Sequence, residues 1–243
     1  MCEALEWLGL DWDEVVTQSE LGGQHDAALD SLAAAGLLYP CVCGRKDWRA
    51  RGRRAPDGGI AYDNLCRDNK LGPGGWRDCT EALRLRLPEG RVSLADESGI
   101  DLSQDPAHEM GDPVVRRRDG VVAYHLVVVV DDAASGVTRV VRGRDLASST
   151  AIQILLQKML ALPRPEYRHH FLLLEDGEQK LAKMRGSHPY EELLRQFSGP
   201  EFCGLLAQQA GLQSTCSPCT PHSLVADFDW QKVRAEDLRW HHP

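Results

Sequence analysis

The sequence predicts an α/β fold with a helical C-terminal tail, and three features carry that reading. ALRLRL, residues 82–87, alternates apolar and basic side chains at period two, as a half-buried strand does. AIQILLQKMLAL, residues 151–162, places Ile152, Leu155, Leu156 and Met159 on one helical face. From Tyr190 onward the apolar spacing is helical, in YEELLRQF, FCGLLAQQAG and SLVADF. Strands mixed with helices, then helices alone, make a layered core with an appended helical region.

The elements follow in order. Leu5 and Leu8 lie one turn apart in ALEWLGL, so the chain opens on a helix that runs into a loop. A second helix is predicted over 25–35, with Leu29 and Leu32 on one face and Gly36 placed to end it. LLYPCVC (37–43) reads as extended, and the stretches 50–60 and 70–76 as loops rich in Gly and Pro. VVRRRDGVVAY (114–124) has the shape of a hairpin turning at Asp119-Gly120. GVTRVVRG (136–143) is a further strand, Ser149 stands where it can cap the next helix, and HHFLLL (169–174) is a short buried strand. No internal repeat is visible.

A chain of 243 residues, 42% hydrophobic and 26% charged, can bury one large domain or two small ones. The longest run of large aliphatic residues, Leu126 to Val130, is closed by Asp131 and Asp132, far short of the roughly 20 needed to cross a bilayer. The opening MCEALEWLGLDWDE lacks the basic region and cleavage site of a secretory signal, so the default expectation is a cytoplasmic protein without a membrane partner. A net charge of −8 argues against general adhesion to nucleic acid. Local charge differs: residues 43–54 carry Arg45, Lys46, Arg49, Arg51, Arg53 and Arg54 against Asp47 alone, and Arg116, Arg117 and Arg118 form a second cluster. Such patches hold phosphates or form solvated loops, and charge alone leaves both open.

Eight cysteines without a secretion signal point to reduced thiols or a metal site rather than disulfides. Cys41 and Cys43 are separated by one residue, Cys66 follows after 22 more, and Tyr62 stands four positions before it. Two thiolates on a tight turn and a third from a distant segment can close a loop around tetrahedral zinc, although the spacing alone leaves coincidence open. Metal would supply order to a basic, glycine-rich stretch with little apolar content. Cys216 and Cys219, in STCSPCTP, have only His222 as a nearby nitrogen ligand and read as a surface loop. Cys2, Cys79 and Cys203 read as plain residues, the last a small hydrophobe on a helix face.

Three stretches then carry a family resemblance. They are WLGLDWDE (7–14) with the following QSE and YPCVC; AYHLVVVVDDAASGVTRVVRGRDLASSTAIQILL (123–156); and QKLAKMRG (179–186). Together they resemble the glutamate-activating class I aminoacyl-tRNA synthetases over most of residues 1 to about 195. The resemblance implies a Rossmann-like catalytic core with a zinc-bearing insert and a helical C-terminal tail. The remainder of the first half of the core would span 1–36, the insert 37–110, the second half 111–186, and the helical region 187–243. Tyr124 and Arg142 fall on glutamate-contacting positions, and a hydroxyl and a guanidinium suit a carboxylate. Without the family, they would read as a strand-end core tyrosine and a structurally paired arginine. The resemblance also moves the valine run before Asp131 from strand to a loop and short helix. QKLAK resembles the KMSKS loop: Lys180 and Lys183 fall on its lysines, which bind ATP with its Mg, and Lys183 would be the catalytic one. Ala182 stands where the usual Ser would.

Only 60 residues follow Lys183, too few for the large anticodon-binding region of ordinary glutamyl-tRNA synthetases. The resemblance is therefore to the short glutamyl-queuosine branch, which carries Cys-x-Cys and Tyr-x-x-x-Cys as zinc ligands, here Cys41, Cys43, Tyr62 and Cys66. It implies activation of L-glutamate by ATP and its transfer to queuosine in tRNA(Asp), by a monomer. Two other readings stay open: an inactive tRNA- or zinc-binding module, and a fragment of an enzyme charging tRNA(Glu). The PSPTG-x-LH-x-G element that binds ATP at a helix N-terminus is not found, so the first βα unit is expected to be missing. A fragment or a misassigned start is the expectation, with little or no synthetase activity in the chain as written; rapid glutamate-dependent ATP–pyrophosphate exchange would contradict it.

Overall fold

The computed structural model describes residues 2–174 and 190–239. In chain order these form α1 (Cys2–Trp7), α2 (Gly22–Ala34), β1 (Leu38–Cys41), α3 (Arg45–Arg51), β2 (Ala82–Leu85), α4 (Pro106–Glu109) and β3 (Val114–Arg116). They continue with α5 (Tyr124–Ala134), β4 (Arg139–Gly143), α6 (Thr150–Met159), β5 (Glu166–His170) and β6 (Leu173–Leu174). The last are α7 (Tyr190–Gln196), α8 (Gly199–Ala210), α9 (Pro221–Val225) and β7 (Leu238–Arg239). Contacts divide the chain into two compact units, residues 16–169 and residues 1–15 with 170–243.

In the first unit β1, β2 and β3 make an antiparallel sheet in that order, with Leu38 opposite Leu85 and Cys41 opposite Ala82. Helix α5 packs against α2, α6 and β3. Leu29 and Leu32 of α2, Leu83 and Leu85 of β2, Leu126 and Val129 of α5, and Ile152 and Leu156 of α6 share one core. Each such side chain removed from water contributes about 1.5–3 kcal/mol. The predicted end of α2 is where it was expected, with Gly36 at φ +70° and the Leu37 amide bonded to the Leu32 carbonyl at 3.0 Å. The Asp119-Gly120 hairpin also forms, Arg116 bridging antiparallel to Val122.

Several expectations give way to tertiary context. The valine run lies in an eleven-residue helix, α5, because Leu126, Val127, Val129 and Val130 all find burial on helical spacing; packing outweighs the modest helix cost of β-branching. Ser149 precedes α6 but makes no side-chain cap, since a 3-10 turn over Arg144–Ser149 feeds directly into the helix. Helix α6 is buried from Thr150 to Gln157 on every side, rather than along one stripe. Residues 50 and 51 belong to α3 rather than to a loop, and the α3 start is held by Asp47, whose Oδ2 accepts from the Gly44 amide at 2.9 Å. HHFLLL is split: His169 closes the buried part of β5, while Leu173 and Leu174 form the half-buried β6. Arg84, expected on the wet face of β2, is buried.

In the second unit α8 begins at Ser198, whose amide and hydroxyl both donate to Glu201 Oε2, at 2.7 and 2.6 Å. It ends at Gly211, φ +86°. Strands β6 and β7 pair in parallel, a ladder that the helical reading of the tail did not include. Among the described residues, no helix is long and apolar enough to cross a membrane.

Candidate functional site

Two clusters of polar chemistry lie in the unit of residues 16–169. The first is built on β1 and the chain between α3 and β2. Strand β1 delivers Cys41 buried, and Cys43 follows half-buried. Tyr62 and Cys66 come from the irregular segment that follows α3, and both are buried. The three sulfur atoms lie within 4.8 Å of one another. Cys43 Sγ is 3.5 Å from Cys66 Sγ, and the Tyr62 hydroxyl is 3.4 Å from Cys41 Sγ and 3.8 Å from Cys43 Sγ. Zn–S bonds of about 2.3 Å in a tetrahedron put sulfurs about 3.8 Å apart, so these spacings are those of a ligand set.

The surroundings suit a metal with several anionic ligands. Arg84 donates from Nε to Cys41 Sγ at 3.2 Å and lies with its guanidinium 3.5 Å above the Tyr62 ring. Arg51 donates from Nη2 to Cys43 Sγ at 3.6 Å. Two guanidiniums offset the negative charge that three thiolates and a phenolate leave on a divalent ion. Burial pushes the Tyr62 hydroxyl and the Cys43 thiol up, whereas at Cys66 the Tyr62 hydroxyl and the Val42 amide outweigh burial and bring the thiol down. Thiol and phenol ligands must lose their protons to bind a cation, which couples metal binding to proton release.

A polar knot holds this cluster in place. Asp112, fully buried, accepts from Arg67 Nη1 at 2.6 and 2.7 Å, from the Tyr39 hydroxyl at 2.9 Å and from the Leu87 amide at 2.8 Å. Gly111 beside it has φ +76°, and a Cβ there would meet the Tyr62 carbonyl oxygen at 2.2 Å. Only glycine allows the backbone to approach Tyr62 this closely.

The second cluster surrounds Tyr124 and Arg142. Tyr124 opens α5 and is 49% exposed, so it is an accessible hydroxyl rather than a core residue. Its ring meets that of His125 edge-on, centroids 5.7 Å apart. Burial first, and the Arg142 charge second, depress His125 to about 4, so its imidazole is neutral at neutral pH. Arg142, on β4, makes no structural ion pair with a carboxylate among its hydrogen bonds to described residues. It donates from Nε to His169 Nε2 at 3.1 Å and from Nη2 to Thr150 Oγ1 at 2.8 Å and to the Leu146 carbonyl at 3.4 Å. Its guanidinium sits 5.4 Å from the Tyr167 ring centroid. Burial raises Asp132, which also feels the Arg142 charge. A guanidinium oriented by neutral acceptors keeps its charge for an incoming carboxylate.

Lys180 and Lys183 lie outside the described residues. Of the cysteines read as plain, Cys203 is buried on α8, and its Sγ lies 3.7 Å from that of Cys219. The CxxC is open at Cys216 and half-buried at Cys219. Sequence reasoning passed over Arg84, Asp96, Thr150 and His169. Arg84 left one trace, a charged residue inside a strand that turned out to be buried.

Comparison with known proteins bears on family and fold. Residues 1–197 match the family model of the class I tRNA synthetases (E and Q), catalytic domain. The chain is 42% identical over 200 residues to the glutamyl-Q tRNA(Asp) synthetase of Neisseria meningitidis, covering 79% of this chain and 66% of that protein. The protein of the same name from Symbiobacterium thermophilum is 38% identical over 257 residues, covering 97% of this chain and 77% of its own length. The chain thus spans about two thirds of the curated relatives it matches first. A crystal structure of a glutamate tRNA ligase from Elizabethkingia meningosepticum, in complex with its amino acid, superposes with a TM-score of 0.76 at 21% identity, covering 98% of this chain and 56% of that one. At that identity the likeness is one of fold, and it is the α/β synthetase fold expected from the sequence.

Proposed function

The chain belongs to the catalytic-domain family of the class I tRNA synthetases (E and Q), and from that premise we propose that it serves ATP-dependent activation of glutamate and transfer of the glutamyl group to the queuosine base of tRNA(Asp). The observation that carries the proposal is Arg142 on β4, oriented by His169 and Thr150, with Tyr124 exposed at the start of α5 next to His125, which feels the Arg142 charge. A carboxylate of glutamate pairs with the Arg142 guanidinium, and the Tyr124 hydroxyl adds a directional hydrogen bond.

In the first step a glutamate carboxylate oxygen attacks the α-phosphorus of Mg-bound ATP. A C–O–P anhydride forms, the bond from the α-phosphorus to the bridging oxygen breaks, and pyrophosphate leaves. In the second a hydroxyl of the queuosine cyclopentenediol attacks the acyl carbon, an ester forms, AMP leaves and the hydroxyl proton is lost. Lys180 and Lys183 would offset charge on the phosphates. The queuosine preference is supported by the two relatives above, both named glutamyl-Q tRNA(Asp) synthetase.

Cys41, Cys43, Cys66 and Tyr62 would hold zinc, a structural ion that supplies a covalent-strength tie between β1 and the segment after α3. The insert that it orders, which includes the basic helix α3, would face the nucleic acid.

The test is calorimetric binding of glutamyl-sulfamoyl-adenosine, a stable mimic of the glutamyl adenylate. Arg142→Ala is expected to weaken binding by roughly 10- to 100-fold, the worth of one or two charged hydrogen bonds. Tyr124→Phe is expected to cost less. Equal affinity for the aspartyl and glutaminyl counterparts would overturn the assignment.

A further inference from the structure

Arg142 is aimed by a buried pair that no family signature above contains. Asp96 lies in the turn closed by the bridge Ala95–Asp101, at the end of an irregular ribbon that the bridge Val92–Gln104 also ties, and His169 lies on β5. Both side chains are completely buried. Asp96 Oδ2 is 2.6 Å from His169 Nδ1, while Asp96 Oδ1 accepts from the His169 amide at 3.0 Å and from the Ser98 amide and hydroxyl at 2.9 and 2.5 Å. The carboxylate is therefore fixed by the backbone of both segments it joins.

The proton positions follow from donor and acceptor chemistry. Arg142 Nε–H can only donate, so His169 Nε2, 3.1 Å away, must be unprotonated. The single imidazole proton then resides on Nδ1 and points at Asp96. With Nε engaged by His169, Nη2 by Thr150 and the Leu146 carbonyl, and no hydrogen bond to Nη1 among the described residues, the guanidinium is clamped along one edge and open at Nη1.

We propose that Asp96 and His169 are positioning residues: Asp96 sets the Nδ1–H tautomer of His169, and the resulting Nε2 acceptor holds Arg142 so that the two hydrogens of Nη1 present a fork to a glutamate carboxylate. The inference rests on the reading of Arg142 as the glutamate-holding residue. Holding the fork before the ligand arrives removes the ordering cost from binding. Neither Asp96 nor His169 touches the substrate; they act through Arg142.

Three substitutions separate the parts. Asp96→Asn places an amide where Oδ2 was, so the imidazole must either face a donor or move its proton to Nε2, opposite Arg142 Nε–H. His169→Asn keeps a donor toward Asp96 and removes the acceptor for Arg142. His169→Gln can carry a carbonyl oxygen close to the Nε2 position and is the conservative rescue. Affinities for glutamyl-sulfamoyl-adenosine and for ATP alone are measured on the full chain, with long-range 1H–15N NMR of the imidazole. The expected result is the Nδ1–H tautomer in the parent protein and its loss in Asp96→Asn. Glutamyl-analogue affinity should fall about tenfold in Asp96→Asn and His169→Asn, with ATP affinity unchanged, most of the loss recovered in His169→Gln, and no further loss when Asp96→Asn is added to Arg142→Ala. An Nε2–H tautomer in the parent protein would overturn the inference on its own, even if a substituted chain failed to fold. If Arg142→Ala weakens binding while Asp96→Asn and His169→Asn do not, the inference falls and the reading of Arg142 stands. If Arg142→Ala binds as the parent does, that reading falls and takes the inference with it.

Discussion

Asp112 illustrates how much one residue can hold. Its carboxylate, without solvent exposure, receives Arg67, Tyr39 and the Leu87 amide, and its own amide donates to Asn64 Oδ1 at 2.8 Å. Asp112→Ala leaves three donors facing an apolar gap, and urea unfolding is expected to report a loss of about 3 kcal/mol or more. His125 gives a pH dependence. Its folded value, about 4, lies below the ordinary 6.5 because burial and Arg142 disfavour the charged form, against a smaller opposing pull from Asp57. Between those values the unfolded chain binds the extra proton and the folded one does not, so stability falls as pH drops from 6.5 towards 4. His125→Leu should flatten that part of the unfolding-versus-pH curve, and an unchanged slope would contradict the assignment. The cluster of Cys41, Cys43, Tyr62 and Cys66, which the structure brings together, was readable because Cys-x-Cys and Tyr-x-x-x-Cys are short fixed spacings. Arg84, Asp96 and His169 were not, because each matters through a partner 28 to 73 positions away, and nothing in the local pattern announces that register.

At the scale of elements, period told helix from strand for α2, for β2 and for α6, whose Ile152, Leu155, Leu156 and Met159 keep helical spacing although the helix is buried all round. It did not show that β2 lacks a wet face, since Arg84 is buried. Helix α5 carries its valines in a sequence that reads equally as strand, and only the family resemblance pointed to a helix there. Leu156→Ala, in the centre of α6 with no exposure, is expected to cost about 2–5 kcal/mol in denaturant unfolding. Gly111→Ala should do more than its size suggests. Positive φ and a Cβ 2.2 Å from the Tyr62 carbonyl force the chain apart next to the metal cluster, so lowered metal content should accompany the stability loss. Restoration of full metal occupancy in that variant would show that the close approach is not needed. The two-strand ladder of β6 with β7 had no signal at all, since two residues carry no readable period.

For the molecule as a whole, metal and glutamate are the two commitments. Mass spectrometry of metal content is expected to find one zinc per chain, lost in Cys66→Ala, with chelation lowering the melting temperature. Because the ligands must shed protons to bind, zinc affinity should fall as pH is lowered, and a pH-independent affinity would argue against thiolate ligation. The α/β synthetase fold was legible in the long stretch from 123 to 156, whose residues build α5, the strand β4 and most of the buried helix α6. What decides the function most directly is where the glutamyl group goes. With radiolabelled glutamate and ATP, the chain is offered tRNA(Asp) with queuosine, tRNA(Asp) lacking it, and tRNA(Glu). Label on queuosine-bearing tRNA(Asp) alone, at however slow a rate, is the expected result; label on tRNA(Glu), or on tRNA(Asp) without queuosine, would contradict it.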